Sequence, residues 1–162
     1  MRRKDLEISE PSEIFAIMKR CSVCSLAFFN GEFPYIVPMN FGVTFDGGEF
    51  TLYFHGATRG TKLELLKQNN SVAFEMHCSQ ELVSDEIPCN FTMKYESVCG
   101  TGKIEILPEE EKIDALKIIM RQYSDSPDFA FNENKMSFTV LLRLKVGEIS
   151  GKCLSDKRRL QS

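Results

Sequence analysis

The sequence lacks any long hydrophobic run. No apolar segment approaches the ~20 residues that a transmembrane helix needs. The first charged residues are also not followed by the hydrophobic stretch of a signal peptide. We therefore expect a cytoplasmic protein that does not act in or on a membrane.

The chain also lacks an excess of positive charge. Lys and Arg together number 20 against 23 Asp and Glu, which gives a formal net charge of −3. A nucleic-acid-binding surface needs a basic excess on at least one face. We therefore expect no nucleic-acid partner and look for a small-molecule ligand instead.

The six cysteines do not follow the pattern of a disulfide framework or a zinc site. In a chain of this length without a signal peptide, they are expected to be free thiols. Cys21 and Cys24 form a C-x-x-C pair, but the pair falls where a predicted helix ends and a strand begins. A redox pair is typical of a helix N-terminus, where the dipole lowers the pKa of a thiol. A zinc site would need a second ligand pair, so we expect packing here and no metal.

What the chain does contain is mostly strand patterns. The 162 residues fit a single domain over 1–162 that can bury a core of its own. Alternating or continuous apolar patterns predict six strands, at 23–29, 35–43, 50–55, 72–78, 91–107 and 138–149. Asn30-Gly31 predicts a hairpin turn after the first strand, and 79–90 is predicted to be an acidic loop. Helical spacing predicts helices at 9–20, 61–67 and 108–123. Six short strands in mostly hairpin order predict a mainly β protein, an antiparallel barrel with peripheral helices.

Residues 52–70, LYFHGATRGTKLELLKQNN, place a histidine and two cations where a strand gives way to a helix. Glycines let the backbone approach a ligand, hydroxyls donate hydrogen bonds, and a helix N-terminus attracts an anion. The residues concerned are His55, Gly56, Thr58, Arg59, Gly60, Thr61 and Lys62. Two interpretations of this stretch remain open at this point. The loop is either a phosphate site or a solvated basic loop, and His55 is either functional or a strand-end cap.

Three segments in order, PYIVPMNFG, LYFHGATRGTKLELLKQNNSVAFEM and YESVCGTGKIEIL, resemble the flavin-binding split-barrel proteins related to pyridoxamine 5'-phosphate oxidase. Within that superfamily the chain looks most like the 5-nitroimidazole-resistance (Nim) group. The resemblance implies a six-stranded antiparallel FMN-binding split barrel. It further implies a homodimer that binds FMN at the interface, so that each flavin contacts both chains.

The resemblance also assigns the residues that would hold the flavin. The segment along the isoalloxazine ring is Pro38, Met39 and Asn40, and the segment under it is His55, Gly56 and Ala57. The phosphate clamp is Gly60 and Lys62, which Arg59 and Thr61 can join. The segment from the partner chain is Tyr95, Ser97 and Val98. Two positions depart from the family: Gly56 stands where a serine is usual, and Glu96 stands where a basic residue is frequent.

The function implied by the resemblance is that of an FMN-dependent oxidoreductase. Reduced flavin would pass electrons in pairs to the nitro group of an imidazole, so that an amine forms instead of a toxic radical. His55 would be the catalytic residue that positions the substrate or relays a proton, because an imidazole titrates near neutral pH.

Two alternatives to this function remain. One is an FMN store or redox sensor without turnover. The other is a haem-binding split barrel with His55 as the axial ligand, against which the basic loop argues. Pyridoxamine phosphate oxidation is not expected, because the chain shows no further basic cluster for a second phosphate.

Overall fold

A computed structural model describes residues 3–126 and 128–155 of the chain. The remaining residues of the domain predicted over 1–162 lie outside the described part. In the described part, no helix is long and apolar enough to cross a membrane.

Eight strands and four α-helices make up the described part of the chain. The strands are β1 (Glu7–Ile8), β2 (Cys24–Phe28), β3 (Tyr35–Met39), β4 (Phe41–Asp46), β5 (Glu49–Ala57), β6 (Ser71–Val83), β7 (Thr92–Ile106) and β8 (Thr139–Leu154). The helices are α1 (Pro11–Arg20), α2 (Thr61–Gln68), α3 (Lys112–Tyr123) and α4 (Glu133–Met136). Three-residue 3₁₀ turns occur at Lys4–Leu6, Pro88–Asn90 and Glu109–Glu111.

The strands form one antiparallel sheet in the order β3-β2-β6-β7-β8-β5-β4, and β1 pairs with β8. The strands at the two ends of this order, β3 and β4, follow each other in the chain with only Asn40 between them. The sheet therefore curls back on itself without a ladder between its two end strands in the described part of the chain. The gap between β3 and β4 is the split of the split barrel that the sequence predicts.

The predicted strand at 35–43 is in fact two strands that belong to opposite ends of the sheet. β3 pairs with β2, and Pro38 lies opposite Ser25 on this edge strand, where a missing N–H costs no ladder bond. β4 pairs with β5, beginning at Phe41 opposite Phe54. The six predicted strands therefore become seven, and the two-residue β1 is the eighth.

Two further sequence predictions needed correction. The acidic loop predicted at 79–90 is partly strand, because β6 continues to Val83 and pairs there with Thr92 of β7. The helix predicted from Pro108 begins with the 3₁₀ turn, and regular α-helix starts at Lys112. Beside Gly102 the ladder between β7 and β8 shifts by one residue, because Gly147 of β8 is left unpaired between Val146 and Glu148. Gly102 is needed there, because a Cβ atom would collide with the carbonyl oxygen of Lys145.

Inward-facing side chains from most of the strands fill the barrel, and α1 adds Ile14, Ile17 and Met18 to the same core. The alternation is clearest in β2, where every second residue is buried. The largest fully buried side chains are Phe28, Phe41, Phe54, Met18, Leu26, Leu52, Met76, Ile104, Leu141, Leu142, Leu144 and Val98. Apolar burial of this extent is the main stabilising contribution to the fold.

Helix α3 covers one part of the outer face of the barrel. Ala115 and Ile119 of this helix pack against Leu107 and Leu141 in a second, smaller cluster. The helix lies directly on β4 at Gly42, where a Cβ atom would come within 2.6 Å of the Ile118 carbonyl oxygen. Contact with α3 therefore holds the strand that leads into the split.

Candidate functional site

The C-terminal end of β5 is paired with a neighbouring strand on one side only. His55, Gly56 and Ala57 pair with Leu141, Val140 and Thr139 of β8. The β4 ladder starts only at Phe41 opposite Phe54, so these three residues have no β4 partner. His55 and Ala57 are exposed and Gly56 is half-buried. A strand end of this kind can present backbone and imidazole to a ligand.

The N-terminus of α2 provides unpaired backbone donors. Gly60 is the N-cap residue, with a φ of 130° that a side chain would disfavour. Its carbonyl oxygen accepts from the amides of Leu63 at 3.0 Å and Glu64 at 3.4 Å. The amides of Thr61 and Lys62 precede the first helical bond, so they are available to an anion.

Lys62 brings its charge back to the end of β5. A Cβ atom at Gly56 would lie 2.7 Å from the Lys62 Nζ, so the ammonium occupies the space that a side chain at this position would need. The family's usual serine hydroxyl is therefore replaced here by a cation at nearly the same place. Arg59 and Thr61, its neighbours along the chain, are exposed, and Arg59, Thr61 and Lys62 make up a basic cluster at this point of the chain.

The segment Pro38 to Asn40 lies at the split beside the end of β5. Phe41 pairs with Phe54, so Asn40 is one step beyond the ladder, next to His55. Pro38 and Asn40 are exposed, and the Asn40 side-chain amide donates to the Ser22 carbonyl at 3.2 Å. Met39 is 8% exposed and points into the core, so only its backbone can contact a ligand.

Tyr95, Ser97 and Val98 lie far from His55 within one chain. Ser97 pairs with Lys152 of β8, whereas His55 pairs with Leu141 of the same strand. These partners are eleven residues apart, which is roughly 35 Å along an extended strand. Val98 is fully buried in the core, so its side chain cannot face a ligand.

Glu96 belongs to a structural ion pair at the end of α1. Its carboxylate accepts from the Arg20 guanidinium at 2.9 and 2.8 Å and from the Ser79 hydroxyl at 3.0 Å. Partial burial works to raise the pKa of Glu96, but hydrogen bonds from Arg20 and Ser79 outweigh it and hold the pKa below its ordinary value. Glu96, which stands where the family frequently has a basic residue, thus joins β7 to Arg20 of α1.

Tyr123, which the sequence did not identify, also connects the segments on either side of the split. The Tyr123 hydroxyl donates to the Ser22 carbonyl at 2.9 Å and accepts from the Phe41 amide at 2.8 Å. Its neighbour Gln122 donates to carbonyls at the C-terminal end of α1, those of Met18 and Cys21 at 2.9 Å. No local pattern indicates such contacts, because Tyr123 is 82 residues from Phe41.

The two cysteines of the C-x-x-C pair are buried free thiols, Cys21 at 2% and Cys24 at 0% exposure. Burial raises the pKa of both thiols, and the neighbouring Cys78 adds to the effect at Cys21. Thiols with a raised pKa are poor nucleophiles. Their position between α1 and β2 agrees with the predicted packing role.

Comparisons with known proteins agree on one family. A family profile described as pyridoxamine 5'-phosphate oxidase matches residues 10–153. The chain is similar to a solved structure from Bacteroides thetaiotaomicron VPI-5482, provisionally named a 5-nitroimidazole antibiotic resistance protein. The identity is 32% over 91% of this chain and 86% of that one, with a TM-score of 0.77. No curated protein sequence matches the chain.

Two more distant structures share the fold. The flavocytochrome Anf3 from Azotobacter vinelandii has a TM-score of 0.78 at 17% identity, over 99% of this chain and 77% of that one. The FAD and heme binding protein from Mycobacterium smegmatis has a TM-score of 0.75 at 18% identity, over 96% and 80%. At these identities the likeness extends to the fold alone.

Proposed function

Because the chain belongs to the pyridoxamine 5'-phosphate oxidase-like superfamily and, within it, to the 5-nitroimidazole-resistance group, we propose that it is an FMN-dependent nitroreductase. The observation that carries the proposal is the basic cluster at the end of β5. There the Lys62 ammonium lies over Gly56, beside the free amides of α2 and next to His55. A phosphate at one end and a planar ring at the other fit this arrangement.

The residues present suit the phosphate of FMN. A dianion gains from the unpaired amides at the start of α2 and from the positive end of its dipole. Lys62 and Arg59 add charge, and the Thr61 hydroxyl can donate a further bond. A flavin without the phosphate would leave these groups unused, which favours the nucleotide over riboflavin.

The ring would lie across the split. Pro38 and Asn40 are exposed on one side of it and His55 and Ala57 on the other. A bound reduced flavin supplies electron pairs, and the conversion of a nitro group to an amine consumes six electrons and six protons and releases two waters. His55 stands where it can hold the substrate or pass a proton to it.

We propose further that the protein acts as a homodimer with a flavin at each side of the interface. Tyr95 and Ser97 are too far along β8 from His55 to reach the same flavin within one chain. In a two-fold dimer they would come from the partner subunit instead. The connection between β2 and β3, together with β3 itself, also exposes large apolar side chains that a partner would cover, namely Phe29 (64%), Phe33 (70%) and Ile36 (62%).

An apolar groove of about 550 Å³ supports the same interface. Its lining comes from β2, β6, β7, β8 and the connection between β2 and β3, and includes Ala27, Phe29, Pro34, Ala73, Thr101 and Gly147. The groove is shallow and lined mostly by small residues, so side chains of a second copy can enter it. Phe29 lines the groove, so the groove is continuous with the exposed apolar side chains.

The experiment that tests the proposed function starts from the visible spectrum of the purified protein. We expect flavin absorption and release of FMN on denaturation, and a haem spectrum would contradict the proposal. Turnover is then measured with NADH or NADPH and a 5-nitroimidazole under anaerobic conditions, with the amine identified as product. Bound FMN without turnover would instead support a flavin store or sensor.

A further inference from the structure

The second of the two histidines, His77, lies on β6 in an exposed ion pair. Its Nδ1 is 2.7 Å from Oε1 of Glu75, two residues earlier on the same face of the strand. An ionised carboxylate can only accept, so Nδ1 carries the proton in this bond. No other side chain of the described residues bonds the ring, so Nε2 faces outward.

Strand register places this pair beside Ser97, which is assigned to the flavin of the partner subunit. Ser25 pairs with Pro38 on one side and with Glu75 on the other. His77 pairs directly with Ser97 on β7. Glu75, His77 and Ser97 therefore lie on the face of the sheet that also carries Pro38.

The other titratable groups on this face are few. Cys99 faces Glu75 from β7, and Tyr95 lies beyond Ser97 on the same strand. From β8, Lys152 pairs with Ser97, and its Nζ lies 5.8 Å from the centre of the Tyr95 ring. β2 contributes only the uncharged Ser25 opposite Glu75. Glu75 is the group in direct contact with His77.

We propose that His77 is a second imidazole of the flavin site. Glu75 orients it through the Nδ1–H, and the imidazolium form of the ring donates a proton from Nε2 to the bound flavin or the substrate. The inference rests on the proposed function, because that function assigns Ser97 to the flavin of the partner subunit. His77 is the strand neighbour of Ser97, so it would reach that flavin from the same chain as Ser97.

The low histidine content makes a direct test possible. The chain has only two imidazole C2–H signals for NMR, and His55→Gln identifies which belongs to His77. Addition of FMN should shift the His77 signal, because a flavin that contacts Ser97 lies beside its strand neighbour His77. Inorganic phosphate, which fills only the clamp, should leave the His77 signal in place.

Two outcomes overturn the inference and are distinguishable. If FMN fluorescence is quenched and the His55 signal moves while the His77 signal stays, the flavin binds as proposed but away from His77. If fluorescence is not quenched at all, FMN does not bind, and the proposed function fails together with the inference.

A kinetic experiment tests the proton donation. Reoxidation of the dithionite-reduced protein by metronidazole should be roughly 100-fold slower in His77→Asn, with FMN affinity retained. Glu75→Gln should show an intermediate loss. Glu81→Gln is the matched control, because Glu81 lies further along β6 in an exposed pair with Lys94, and its rate should equal that of the wild type. An unchanged rate in His77→Asn would overturn the proposed donation.

Discussion

Lys62 is the residue whose charge the structure places most clearly, because its ammonium lies over Gly56 at the end of β5. We expect Lys62→Ala to weaken FMN binding roughly 10- to 100-fold, since a hydrogen bond to a charged group contributes about 1.5–3 kcal/mol. Riboflavin affinity should barely change, because riboflavin has no phosphate. Fluorescence titration with both flavins measures the two effects.

Lys67→Ala is the control for the Lys62 experiment. It removes the same charge from the other end of α2, where Lys67 pairs with Glu64 at 3.2 Å in an exposed position. Its FMN affinity should match that of the wild type. Equal weakening of FMN and riboflavin by Lys62→Ala would show that the phosphate binds elsewhere.

His55 should contribute to chemistry more than to flavin affinity. It is exposed at the open end of β5, whereas the charges suited to a phosphate belong to the loop and α2. We expect His55→Ala to keep most FMN affinity and to reduce turnover roughly 100-fold. Affinity, melting temperature and nitroreductase rate are measured on the same variant. Early melting with normal turnover of the flavin-loaded protein would leave His55 a structural residue.

At the scale of elements, the ion pair between Arg20 of α1 and Glu96 of β7 depends on the ionised form of Glu96. Hydrogen bonds from Arg20 and Ser79 lower the pKa of Glu96 in the folded protein despite its partial burial. A carboxyl whose pKa is lower in the folded protein than in the unfolded chain stabilises the folded state. This stabilisation is complete above the pKa of the unfolded chain, ~4.3, and is lost as the pH falls through the pKa of the folded protein.

We therefore expect Glu96→Gln to lower the free energy of unfolding by up to about 1 kcal/mol near neutral pH, as partly exposed pairs do. The difference from the wild type should shrink as the pH falls below ~4.3. Urea unfolding between pH 7 and pH 3 measures it, with Glu81→Gln as a control for loss of an exposed carboxylate. A difference that does not depend on pH would contradict the role of the ionised pair.

For the whole molecule, the proposed dimer predicts that subunit contact and flavin binding are lost together. Ile36 is 62% exposed on the edge strand β3, on the same face as Pro38. We expect Ile36→Glu to give a monomer, because a charge would be buried in an interface of roughly 2,000 Å² or more. FMN affinity should fall with it, since each flavin would lose the partner's Tyr95 and Ser97.

Sedimentation velocity with and without FMN tests this prediction. Glu49→Gln, in the hairpin where β4 turns into β5, is a control in which dimer and flavin affinity should be kept. A monomer that still binds FMN as tightly as the wild type would contradict the shared site.

The sequence alone determined the features that depend on neighbours along the chain. Apolar alternation predicted β8, the Asn30-Gly31 pair predicted the turn between β2 and β3, and the 52–70 stretch predicted a strand, a basic loop and a helix start. These predictions are correct because turn conformation, strand alternation and helix initiation are set within a few residues.

Only the tertiary structure decided how distant segments meet. The division of 35–43 at Asn40 depends on Phe41 pairing with Phe54 and on the Tyr123 hydroxyl, which lies 82 residues away from Phe41. The separation of Ser97 from His55 depends on where each pairs along β8. Long-range register and side-chain contacts of this kind follow from packing of the whole core, which no local pattern of residues specifies.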